Sequence, residues 1–204
     1  MATSVLTPLS SILTVTDTPT LGHMIAWWET MWADPTDLQT AFADGFPREL
    51  DDFLALLRDT ERPFWMCLKD REPLGAFWLH DLLYDETGGL RGGWLGGHII
   101  QAARRPYGWA LSEVTLKTLR NAGLAHVFAA VNVHNRRSQA YVSRGLRFTR
   151  VTDYKNFTLF SGQVTDVVIY AWRRDDYHLA LAEARKRATR NMASWCEIAM
   201  AERS

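Results

Sequence analysis

The stretch from Leu111 to Ala122 constrains the fold most. Leu111, Val114, Thr115, Thr118, Leu119 and Ala122 recur at the i, i+3, i+4, i+7, i+8 and i+11 positions of a helix. Gly123 follows where a left-handed C′ residue belongs. A helix with one apolar face must lay that face on another element. Leu95 to Ile100 reads as a strand before it. Val127 to Val133 follows it, apolar and β-branched enough for a strand buried on both faces. A helix held between strands places the chain in the α/β (α+β) class.

The remaining elements follow from similar patterns. Ile12 to Thr16 is a short β-branched strand, and Thr18-Pro19 offers a cap and a first-turn proline for a helix through Trp32. Helical pieces are expected near Thr36 to Asp44 and Arg48 to Arg58. Pro63 to Lys69 and Leu74 to Tyr84 read as a hairpin turning at Asp70 to Pro73. Glycine-rich turns fall at Gly88-Gly89 and Gly92-Gly93. Asn135 caps a short helix ending at Gly145, and two strands fit Arg147 to Tyr154 and Val164 to Arg173. Asp175 to about Met200 reads as a long helix added to that core.

With 204 residues, 47% of them hydrophobic, one sizeable core is the expectation. Residues 1–174 form the domain and 175–204 a helical extension. Lys plus Arg and Asp plus Glu are equal at 23 each, so no global basic field exists to draw nucleic acid. The charges segregate locally. From Glu29 to Arg62 nine acids face three bases, and from Arg104 to Arg150 nine bases face Glu113 alone. That pattern suits one cationic and one anionic ligand. Cys67 and Cys196 make no metal-ligand spacing and no disulfide framework, so no metal is expected. The opening MATSVLTPLSSILTV lacks the basic and continuous apolar regions of a signal peptide, and no run of about 18 apolar residues occurs. A soluble, cytoplasmic protein without membrane contact is the expectation.

One segment points to chemistry. Arg104-Arg-Pro-Tyr-Gly108-Trp-Ala110 sets small residues and positive charge where the Leu111 helix begins. Backbone N–H groups at such a place form an anion site, and glycine lets a phosphate approach. The spacing is neither a Walker loop nor a dinucleotide fingerprint. Ile100-Gln-Ala-Ala-Arg-Arg105-Pro-Tyr-Gly108-Trp-Ala110 resembles motif A of the GNAT acetyltransferase superfamily, V-x-x-x-x-[RQ]-x-x-G-x-[GA]. Asn135-Arg-Arg-Ser138-Gln-Ala-Tyr141-Val-Ser-Arg144-Gly145 resembles that family's motif B, and the element order over roughly Thr14 to Arg173 is similar too.

The resemblance implies a GNAT-like mixed, mostly antiparallel central sheet flanked by helices, with the C-terminal helix extra. It implies acetyl-CoA as cofactor, anchored by Arg105, Tyr107, Gly108, Trp109 and Ala110. His98, Ile99 and Ile100 would bond the pantetheine and polarise the thioester, with Asn135 and Ser138 across the arm. Tyr141 would protonate the departing thiolate. His98 is the candidate base, with His80 a weaker one. Two departures stand out: the tyrosine and glycine of motif B lie six and ten residues after Asn135 where the family has seven and eleven, and Leu95 to Ile100 holds no carboxylate.

On this reading the chain is an N-acetyltransferase acting on an amine of a small molecule or protein, its acidic segment favouring a cationic acceptor. Trp27, Trp28, Trp32, Phe42 and Phe46 lie in that segment and are read as packing before substrate cage. The alternative is a GNAT-fold protein without turnover, serving as an assembly or binding module. Leu181, Ala184, Ala188, Met192, Trp195 and Ala199 form one stripe on the last helix, to be covered by the chain's own domain or by another copy or partner.

Overall fold

The computed structural model describes residues 12–33, 49–57, 62–160, 163–183 and 186. Seven strands form one sheet: β1 (Leu13–Thr16), β2 (Phe64–Lys69), β3 (Glu72–Tyr84), β4 (Leu90–Ile99), β5 (His126–Asn132), β6 (Thr149–Phe160) and β7 (Gln163–Arg173). Their order is β1-β2-β3-β4-β5-β7-β6, and every neighbouring pair is antiparallel except β4 with β5. This is the mixed, mostly antiparallel sheet that the family resemblance implies. Asp70 and Arg71 turn the β2–β3 hairpin with φ of 51° and 71°, as a two-residue turn compatible with strand twist requires.

Helices α1 (Leu21–Ala33) and α2 (Leu50–Leu57) cover one face of the sheet, and α3 (Gln101–Asn121) covers the other. Strand alternation sorts the side chains between them. Met66, Leu68, Ala76 and Trp78 meet Trp27, Trp28, Met31 and Phe53 from α1 and α2. Cys67, Leu74 and Phe77 meet Ala103, Ala110, Leu111 and Val114 from α3. The third cluster joins Leu116 and Leu119 of α3 to Val127, Val168 and Trp172 of β5 and β7. Each fully buried leucine or valine of these clusters contributes about 1.5–3 kcal/mol of transfer free energy. Trp27 and Trp28 are core residues, as the packing reading has it.

Tyr177, Ala180 and Leu181 belong to the third cluster, and the Arg120 guanidinium lies 4.5 Å over the Tyr177 ring. The start of the last helix therefore packs on its own domain. Its continuation to Met200, with the stripe from Ala184 to Ala199, lies outside the described residues apart from position 186, as do the expected helix from Thr36 to Asp44 and the side chains of Phe42 and Phe46.

α1 begins at Leu21, and Thr20 Oγ1 accepts from the His23 N–H, so Thr20 and not Thr18 is its cap. Three differences from the sequence reading are larger. β4 begins at Leu90 and takes in Gly92 and Gly93, and β6 continues to Phe160. The third is the largest: α3 begins at Gln101, so the expected anion loop is helix. Ala103 is buried and Tyr107 packs against the same cluster, so tertiary contacts outweigh the breaking tendency of Pro106 and Gly108.

Candidate active site

β4 and β5 pair at only three positions, Gly92↔His126, Gly93↔Val127 and Trp94↔Phe128. Beyond Trp94 the two strands part, while β4 stays paired with β3 as far as Gly75↔Ile99. A cleft of about 870 Å³ opens between them. It is lined from the α3 face by Leu111, Thr115 and Tyr141 and from the α1 face by Trp78, His98 and Phe157. The opening thus passes through the sheet.

The ladder decides which backbone groups of β4 are free to meet a ligand. The Ile100 N–H donates to Leu74 O at 3.0 Å, so Ile100 faces β3, and by alternation so do His98 and Gly96. Ile100 O accepts from the Ala103 N–H, which uses its second group. Leu95, Gly97 and Ile99 turn their N–H and C=O toward the open side. The Ile99 carbonyl there accepts from Arg104 Nε at 2.8 Å. The backbone bonding expected of His98 and Ile100 is therefore corrected: those groups are spent on β3 and α3, and the open edge belongs to Leu95, Gly97 and the Ile99 N–H. Sequence reasoning missed Leu95 and Gly97, because a one-residue change of register exchanges the two sets.

On α3 the cleft is met by Arg104, Gly108, Leu111 and Thr115, a stripe at i, i+4, i+7 and i+11. The helix sets that stripe and corrects the loop. Arg105 is exposed and outside the lining, Tyr107 packs on the core, Ala110 is buried, and Trp109 is outside the lining. Gly108 alone of the expected anchors lines the cleft, and a Cβ added there would meet nothing within 4 Å. Pro106 has no N–H, so the helical bond to Ala102 O is missing two residues before it. Across the cleft, Asn135, Arg136, Arg137 and Ser138 belong to the capped start of α4 (Arg136–Ala140).

No family model matches the chain, and no curated protein matches it in sequence. Solved structures do. Mycobacterium smegmatis RimJ, in complex with CoA-disulfide, superposes with a TM-score of 0.70 at 16% identity, over 85% of this chain and 90% of that one. Spermidine N-acetyltransferase from Vibrio cholerae, in complex with CoA and spermine, gives 0.68 at 14% identity, over 82% and 99%. The Salmonella typhimurium acetyl transferase that modifies the N-terminal serine of ribosomal protein L7/L12 gives 0.66 at 14% identity, over 81% and 97%. The chain has the GNAT fold.

Within the GNAT fold the motif B helix is built as its sequence directs. Asn135 Oδ1 accepts from the Ser138 N–H at 3.0 Å, the bond of an N-cap. The helix then widens into a π-helical turn, with the Leu146 N–H on Tyr141 O at 2.9 Å. Gly145 sits there because a Cβ would come within 2.6 Å of Ser112 Oγ on α3. Tyr141 lines the cleft, with Thr115 and Ser112 of α3 near its hydroxyl. Burial pushes its pKa up to about 12, and those two polar neighbours oppose the rise only in part. Val142, one residue on, is at the family's spacing and is buried in the core.

His98 is 4% exposed and also lines the cleft. Its Nδ1 accepts from Trp27 Nε1 at 3.3 Å, and an indole nitrogen only donates, so this Nδ1 carries no proton. His80 lies outside the lining, its Nδ1 2.8 Å from Asp81 Oδ2. The charged side chains on the cleft, among the described residues, are Arg104, Arg136 and Arg137, with His134 beside them. Glu29, Asp51 and Asp52 of the acidic segment are exposed and away from the cleft, so these three do not form the expected acidic wall. Among the described residues no group of three or more His, Cys, Asp or Glu is placed to hold a metal ion, and no helix is long and apolar enough to cross a membrane.

Proposed function

We propose that this chain transfers an acetyl group from acetyl-CoA to a primary amine in the cleft between β4 and β5. One observation carries the reading. The strands part after Trp94↔Phe128, which leaves the β4 edge at Leu95, Gly97 and Ile99 facing a cleft with arginines on its walls. An extended pantetheine arm hydrogen-bonds to such an edge as an added strand would. Arg104, Arg136 and Arg137 supply cations for the phosphates, and Gly108 leaves room beside them. Solved neighbours of the same fold hold CoA ligands, which supports the assignment.

In the reaction the amine nitrogen attacks the thioester carbonyl, negative charge gathers on the carbonyl oxygen, and the C–S bond breaks. The products are the N-acetyl amine, the CoA thiolate and one proton released from nitrogen. Backbone N–H groups on the open edge, Gly97 foremost, face the developing oxyanion and need no reorganisation to do so. Tyr141, with its pKa near 12, holds its proton far more tightly than a thiol of pKa about 8.5. Its role toward the sulfur is a hydrogen bond or wall rather than full proton transfer. His98 orients groups at the α1 side of the opening, and solvent takes the proton from the amine.

A second reading has one observation in its favour. α3 is helical from Gln101, so the N–H groups of Tyr107 to Ala110 point along the helix where a diphosphate would need them free. A binding module without turnover fits that arrangement. Thiol release from acetyl-CoA with a panel of amines separates the two: transfer above the hydrolysis rate supports the enzyme, and binding of acetyl-CoA without transfer to any amine supports the module.

A further inference from the structure

We infer that Phe157 selects the acceptor, and that the acceptor is a small primary amine carrying an aromatic or branched apolar group close to its nitrogen. The inference rests on the acetyl-transfer reading. After an earlier shift at Val151, β6 and β7 pair in step from Thr152↔Ile169 to Tyr154↔Val167 and resume at Thr158↔Thr165, so four steps along β6 match two along β7. The surplus forms a bulge. Asn156 stands at its centre with φ of 51°, a left-handed conformation that asparagine tolerates better than most residues.

Asp166, opposite the bulge, clamps it. One carboxylate oxygen accepts from the Asn156 N–H at 3.0 Å and the other from Lys155 Nζ at 2.6 Å. The bulge turns the next residue, Phe157, over the cleft, which it lines although 54% exposed. Tyr154 stands beside it with ring centroids 5.6 Å apart and is 52% exposed. Two exposed aromatic rings in contact, held by a strained and clamped backbone, are an uncommon feature of a surface that binds nothing.

Position identifies the occupant. Arg104 and Gly108 reach the cleft from the α3 face, whereas Phe157 continues the side bearing Tyr154, whose neighbours across the sheet, Val167 and Asn132, lead to the opening. The aromatic rim is thus continuous with the cleft itself and meets whatever approaches the thioester. A ring favours flat apolar groups, and the described residues that line the cleft include no carboxylate to hold a polycation. A small amine with an apolar substituent satisfies both.

The test compares phenylalanine amide with glycinamide, which share an α-amine and differ by a benzyl group, and adds spermidine as a polycation. With acetyl-CoA saturating, kcat/KM for phenylalanine amide should exceed that for glycinamide by about tenfold or more, as partial burial of a phenyl ring allows. Phe157→Ala should bring the two within about twofold while Tm and the Kd for acetyl-CoA stay unchanged, since the ring is half exposed and on the acceptor side. Equal use of the two amides, a preference for spermidine, or a ratio untouched by Phe157→Ala overturns the inference. Where no amine turns over, calorimetric binding of the two amides to the CoA-saturated protein decides: selective binding of phenylalanine amide upholds it, and equal or absent binding overturns it. Failure to bind acetyl-CoA at all would instead bring down the acetyl-transfer reading, and this inference with it.

Discussion

Gly92 and His126 touch so closely that a Cβ on Gly92 would lie 1.9 Å from the His126 carbonyl oxygen. This contact is one end of the short seam that holds β4 to β5, which runs only from here to Trp94↔Phe128, where the cleft begins. Gly92→Ala must push the strands apart or bend one of them. Overpacking of this kind costs about 3 kcal/mol. Urea denaturation should show that loss, and a stability within about 0.5 kcal/mol of wild type would mean the strands tolerate a wider seam.

The hydroxyl of Tyr141 lies near Thr115 and Ser112, and burial raises its pKa to about 12. Tyr141→Phe should therefore lower kcat by less than about tenfold, with a stability loss of no more than about 1 kcal/mol from the missing hydroxyl. The group is protonated below its folded pKa, so it adds no ionisation to the pH–rate profile between about pH 6 and 9. A hundredfold fall in kcat with unchanged KM would instead make Tyr141 the proton donor.

Cys67 lines the cleft, yet burial pushes its pKa up to about 12, which leaves the thiol uncharged and a poor nucleophile. Acetyl transfer is accordingly expected to be direct, without an acetyl-cysteine intermediate. Cys67→Ala should keep kcat within about threefold of wild type, and acetylated Cys67 should be absent from peptides after incubation with acetyl-CoA alone. Finding that adduct at stoichiometric yield would contradict direct transfer.

The clamp on the β6 bulge gives a pH dependence with a definite sign. Asp166 has its pKa lowered, first by the Lys155 hydrogen bond and then by the Asn156 N–H. A carboxylate with a depressed folded pKa contributes stability above its unfolded value of about 3.9 and loses it as pH falls through the folded value. Between pH 5 and 8 the clamp is complete, so the preference for phenylalanine amide should be flat with pH across about those units. Asp166→Ala should weaken that preference at every pH while acetyl-CoA affinity holds. A preference that changes steeply between pH 6 and 8 would place its origin elsewhere.

The helix stripe from Leu111 to Ala122, the Asn135 cap and the Gly123 stop were all legible in the sequence, because each is a local rule that tertiary structure reinforces. The start of α3 was not. Arg104 to Gly108 contains a proline and a glycine, which argue for a loop, and the burial of Ala103, the packing of Tyr107 and the Arg104 bond to Ile99 O are tertiary contacts that favour helix instead. The split of β4 into groups facing β3 and groups facing the cleft depends on partner register, which no single strand encodes. The bulge at Asn156 left a faint signal, an asparagine inside an otherwise strand-like run, but its clamp comes from Asp166 on the next strand. Tyr141 was visible as a motif residue, while the direction of its hydroxyl was set by a helix spacing one residue short.

The claim that acetyl-CoA occupies the β4/β5 cleft is tested most directly by calorimetry on wild type and Gly108→Glu. Gly108 lines the cleft with open space around it, so glutamate can be accommodated by the fold while setting negative charge beside Arg104. The account predicts one acetyl-CoA bound per chain in wild type, and a Kd raised by about a hundredfold or more in Gly108→Glu at unchanged Tm. Equal affinity in the two proteins, or no binding to wild type, would contradict it.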